Sequence, residues 1–83
     1  MSTPFLTGFA NALVVTLLER DLLEVQAEQG GRVVRYLADH LGTHARGGSL
    51  LSNVEAALLS CPEVEELYAD IDSLKVVVED LDH

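Results

Sequence analysis

Apolar positions recur along this chain at steps of three and four, the mark of helices that bury one side. In the first stretch Leu6, Phe9, Ala10, Leu13, Val14, Leu17 and Leu18 gather on one broad face. Thr3 stands where an N-cap is needed, and Pro4 at the first helical position, where its missing N–H costs nothing. The pattern predicts a helix over 4–20. Beyond the polar Glu19-Arg20-Asp21, Leu22, Leu23 and Val25 either prolong it or form a turn and a short extended piece.

Val34, Leu37, Ala38 and Leu41 make a stripe that predicts a second helix over 32–45, and Leu51, Val54, Leu58 and Cys61 predict a third over 50–60. The third is capped by Ser49, or by Ser52 with Glu55 as a capping box. Gly30-Gly31 and Gly47-Gly48 each follow a helical stretch and read as helix ends. Ser60-Cys61-Pro62-Glu63 reads as the start of a fourth helix over 62–81, with Pro62 in its first turn and Ser60 and Glu63 capping reciprocally. Within it Val64, Ile71 and Val78 fall at one heptad position and Leu67, Leu74 and Leu81 at the other. Parallel two-stranded coiled coils prefer that assignment, although the run is short and an ordinary amphipathic helix inside a bundle is the plainer reading.

Val76, Val77 and Val78 are consecutive and cover more than half the circumference of a helix. A helix therefore leaves one of them exposed unless a second surface meets it. The alternative is a strand over 75–79, mated with 22–25, because a valine run has high strand propensity. The expected fold is accordingly all-α, a small four-helix bundle in one domain spanning 1–83. The α+β alternative has short strands near 22–25 and 75–79. No internal repeat is visible in the residues.

Composition narrows the function more than the fold. A chain of 83 residues supports a single core. Its net charge of −9, from 14 acidic and 5 basic side chains, disfavours direct nucleic-acid binding and attachment to an anionic membrane surface. The apolar stretch Leu6–Leu18 is interrupted by Thr7, Gly8, Asn11 and Thr16 and falls short of the roughly 20 residues of a bilayer span. With no Lys or Arg ahead of it, that stretch also fits a signal peptide poorly. Cys61 is the single cysteine, so no internal disulfide forms, and the expected location is cytoplasmic.

Candidate chemistry is sparse. His40 and His44, four apart on the second helix, could share a divalent metal if a third ligand approached, but exposed histidines near a helix C-terminus are commoner. Cys61 at a helix start is a possible reactive thiol, and its apolar spacing points instead to burial. Asp70-Ile71-Asp72 opens like a calcium loop, yet Leu74 replaces the next oxygen ligand. Phe5 and Phe9 are expected in the core, whereas Tyr36 and Tyr68 flank apolar stripes and suit contacts.

The expectation is a non-catalytic helical protein–protein interaction or oligomerisation module, with a protein partner or a second copy and no cofactor. Its contact centres on Val64, Leu67, Ile71, Leu74, Val76, Val77, Val78 and Leu81. A second expectation is an acidic mimic of nucleic acid that occupies a basic site on a partner, using Glu63, Glu65, Glu66, Asp70, Asp72, Glu79 and Asp80. A third is a metal-dependent enzyme built on His40 and His44.

Overall fold

A computed structural model describes residues 4–43 and 47–81. Helix α1 (Pro4–Glu19) leads into strand β1 (Leu23–Val25) and helix α2 (Gly30–Thr43); helix α3 (Leu50–Ser60) leads into strand β2 (Val64–Leu67) and helix α4 (Ile71–Leu81). The order helix–strand–helix thus occurs twice, a repeat of elements where the residues show none. The two strands, one from each half, pair antiparallel as a two-stranded sheet. Helices α1 and α3 each pack against both α2 and α4.

This is a mainly helical α+β fold and not a pure four-helix bundle. The expected helix over 62–81 is two elements, and the expected strand over 75–79 is part of α4. Of the two strands in the α+β alternative only the one near 22–25 is present, and its partner is Val64–Leu67. Pro62 is the reason. Instead of opening a helix, it occupies the second place of a turn closed by the Val64 N–H donating to the Cys61 carbonyl at 3.2 Å, a position for which its fixed φ is suited. Ser60 does not cap with Glu63; its hydroxyl donates back to the Ala57 carbonyl at 3.2 Å.

Val64 and Leu67 are three apart, a helical spacing, yet both turn inward from a strand. The register explains how: Leu23 faces Leu67, Glu24 faces Glu66 and Val25 faces Val64, so Glu65 is the extra residue of a β-bulge. Glu65 and Glu66 are both exposed as a result, and the flanking Val64 and Leu67 are half-buried against the core.

In α4 the valine run is helical because its packing outweighs its strand propensity. Leu74 and Val77 are fully buried, Val78 and Leu81 are partly buried, and Val76 stands 53% exposed on the opposite side. The helix is held at its start by Asp70, whose carboxylate accepts the Ser73 N–H at 2.8 Å. The buried residues of α1 (Ala10, Leu13, Val14, Leu17) and of α3 with its C-cap (Val54, Ala57, Leu58, then Cys61) follow one and the same spacing. On α2 the stripe is turned by one residue from the expected one: Val33, Leu37 and Ala38 are buried, with Val34 and Leu41 at its edge. The core is otherwise aliphatic, and no polar or charged side chain is buried among the described residues. Phe9 packs at its margin, while Phe5, expected inside, is 78% exposed.

Helix termini show how local chemistry fixed the boundaries. Gly30 and Gly31 open α2 and do not close a preceding helix. The residue that closes α1 is Asp21, at φ 57°. There the Leu22 N–H donates to the Leu17 carbonyl at 2.9 Å and the Asp21 N–H to the Leu18 carbonyl at 3.2 Å, the Schellman arrangement normally given to glycine. Gly47 and Gly48, with φ of 145° and 74°, lead into Ser49, whose hydroxyl accepts the Ser52 N–H at 3.0 Å and caps α3. Thr3, expected to cap α1, lies outside the described residues.

Asp21 combines a left-handed backbone with a negative charge at a helix C-terminus, two unfavourable features. Asp21→Gly is therefore expected to raise the unfolding free energy by about 0.5–1 kcal/mol, and Asp21→Val to lower it by more than that, measured by urea denaturation. At Asp70 the accepted backbone N–H of Ser73 holds the carboxyl below its ordinary value. A folded-state value below the unfolded one contributes stability that is present above the unfolded range and is lost as pH falls through the folded value. The Asp70→Ala variant should accordingly be less stable than the parent at pH 7, with the difference shrinking on acidification; thermal melts across that range check it.

Candidate functional site

The residues expected to form one apolar seam are dispersed by the fold. Val64 and Leu67 belong to the sheet, and Leu74 and Val77 are sealed in the core at 0% exposure, so neither of the latter two can meet a partner. A coiled-coil seam does not exist here. Ile71 and Val76 are exposed; Val64, Leu67, Val78 and Leu81 show part of their surface.

The acidic residues likewise separate by what they touch. Asp80 pairs with Arg20, Oδ2 to Nη2 at 3.0 Å, tying the end of α4 to the end of α1. Asp70 caps α4, and Asp72 lies in its first turn, where a negative charge suits the helix dipole. The Glu63 carboxylate accepts from the Cys61 thiol at 3.6 Å. Glu79 is exposed on the outer side of α4. Glu65 and Glu66 stand outward on the bulged strand, directly across from Glu24.

Glu24, absent from the expected acidic set, completes a carboxylate face on the sheet. Like charges directly opposite on paired strands are destabilising, by a few tenths of a kcal/mol or more. Beside them Tyr68 is 58% exposed, and its hydroxyl donates to the Glu24 carboxylate at 3.4 Å. The negative field of Glu24, with smaller contributions from burial and Glu66, pushes the Tyr68 phenol above its ordinary value. Ile71, 41% exposed, follows three residues later. The Tyr68 and Ala69 N–H groups both donate to the Leu22 carbonyl, at 2.9 and 3.2 Å, which anchors this corner to the start of β1.

A second concave surface lies on the outer side of α2. Arg32, Arg35, Tyr36 and Asp39, at successive helical steps, form one wall and Glu63 the other, around a cavity of about 430 Å³. The Tyr36 hydroxyl lies 2.9 Å from the Ser60 hydroxyl, which fixes the ring between α2 and α3. Its other neighbour is His40, stacked at 6.2 Å between centroids. His44 lies outside the described residues, and among those described no group of three His, Cys, Asp or Glu is placed to hold a metal ion.

Cys61 is buried, as its spacing implied, and burial is the main cause that raises its thiol above the ordinary value. A raised thiol is little ionised at neutral pH and is a poor nucleophile. No described helix is long and apolar enough to cross a membrane. Comparison with known proteins adds nothing to this geometry: no family model, no curated protein and no solved structure matches the chain.

If Glu24 is the main source of the field at Tyr68, Glu24→Gln should return the phenol toward its ordinary ionisation range. Ultraviolet titration of the parent and the variant, each also carrying Tyr36→Phe so that a single phenol is read, checks it; an unchanged midpoint would show that the carboxylate and the ring do not interact in solution.

Proposed function

We propose that this chain is a non-catalytic protein-interaction module that docks a basic surface of a partner on its carboxylate-bearing sheet face. The observation that carries this reading is the arrangement of Glu24, Glu65 and Glu66 on the outer side of the strand pair. Among the described residues none of the three forms an ion pair with a cation, and the direct pairing of Glu24 with Glu66 costs stability. Features that cost stability without structural return are common at binding sites. Tyr68 and Ile71 beside them supply apolar contact area of a kind enriched at interfaces, within a face whose charge would steer a positive partner.

This reading moves the contact away from the expected seam to its exposed end, and it places fewer acids in the contact than the nucleic-acid-mimic expectation does. Asp70, Asp72 and Asp80 have structural roles of their own.

A lysine-rich peptide titrated into isotopically labelled protein provides the test. The expected outcome is that amide shifts concentrate at 24, 65, 66, 68 and 71, and that Glu24→Gln/Glu65→Gln/Glu66→Gln weakens binding about tenfold or more. A charge-matched triple variant at Glu19, Glu28 and Glu79 should bind as the parent does. Equal weakening by both variants would mean that only net charge is being read, and the proposal would fail.

A further inference from the structure

Only five basic residues offset the acidity of this chain, and two of them line the same cavity. Arg32 and Arg35 are three apart on α2, exposed, and form no ion pair among the described residues, although Asp39 and Glu63 border the same space. Arg20, by contrast, is engaged with Asp80. Unengaged guanidiniums around a concave surface are matched to planar anions, because the fork of N–H donors meets both oxygens of a carboxylate. The Tyr36 ring lining the same cavity is already held by Ser60 and stacked on His40, so its orientation need not be fixed on binding.

The bordering acids restrict which anion fits. Two guanidiniums and two carboxylates leave the cavity with no net charge, and the chain as a whole is negative. A dianion such as phosphate would bring a second negative charge against Asp39 and Glu63, which the two guanidiniums do not offset. A single carboxylate flanked by N–H donors satisfies both pairs at once, and a peptide segment carries that combination: a glutamate or aspartate side chain among backbone amides. A volume of about 430 Å³ accepts a short stretch of this kind.

We propose that the α2 cavity binds a peptide segment through one acidic side chain, gripped by Arg32 and Arg35 over Tyr36, with the segment's N–H groups donating to Asp39 and Glu63. This site is separate from the carboxylate face of the sheet and of opposite charge preference, so it stands or falls independently of that assignment.

The probe is a blocked alanine peptide with one central glutamate, titrated into the labelled full chain and compared with its glutamine counterpart and with inorganic phosphate. Saturable shifts at 32, 35, 36 and 39 are expected with the glutamate peptide, at least about tenfold weaker binding with glutamine, and no saturable binding of phosphate in this cavity. Arg32→Gln/Arg35→Gln should lose the glutamate peptide while keeping the parent's circular dichroism and melting behaviour, since neither guanidinium has an ion-pair partner among the described residues. Asp39→Asn should weaken the peptide and leave the glutamate-over-glutamine preference intact. The proposal is overturned if the glutamate peptide gives no shifts here up to about 10 mM, if glutamine binds as well, if phosphate binds more tightly, or if the arginine variant binds unchanged.

Discussion

The structure depends on the pairing of Leu23–Val25 with Val64–Leu67. A two-stranded ribbon is barely stable alone, and this one survives because Leu23, Val25, Val64 and Leu67 all join the core beneath it. The pairing in turn fixes where each half of the chain sits on the other, since every helix of one half packs against a helix of the other. The bulge at Glu65 lets a four-residue strand put two apolar side chains inward and two carboxylates outward. The same device that completes the core therefore creates the charged face above it.

Beneath the sheet lies a core of leucine, valine and alanine with a single cysteine, and no described polar side chain is buried in it. Orientation within such a core comes from shape alone, so polar fixings collect at the rim. Arg20 with Asp80, Tyr36 with Ser60, and the Leu22 carbonyl with Tyr68 and Ala69 each join segments distant in sequence. Individually these surface contacts contribute little, on the order of 1 kcal/mol or less. Their value is geometric, for they hold the helix ends and, at Tyr36, one wall of the α2 cavity.

The first and third helices were legible because their buried residues follow the helical period without interruption, and the Ser49 cap marks where α3 begins. The start of the second was legible to within two residues, and its expected end at 45 lies outside the described residues. The last quarter was not. Val64 and Leu67 lie at a spacing shared by a helix and by a bulged strand, and nothing in the residues themselves chooses between them; the choice is made by Leu23 and Val25, about 40 positions away. Pro62 is equally at home in a helical first turn and in the second place of a β-turn. The acidic set was mostly visible as composition, but Glu24 belongs to it only through the strand register. The α2 cavity has its own signal in the sequence: Arg32, Arg35, Tyr36 and Asp39 repeat at the helical period on the polar side, as regularly as the apolar stripe does on the other.

That the two strands come from opposite halves bears on how the chain reaches this shape during synthesis. While residues up to Thr43 are outside the ribosome and those from Val64 onward are not, β1 has no mate, and Leu23 and Val25 remain open to water and to other nascent chains. The strand connection is long for so short a polypeptide, which slows closure relative to a bundle built from neighbouring helices alone. Lone valines or leucines at that ribbon thus lie in the segment where chaperones have most to gain.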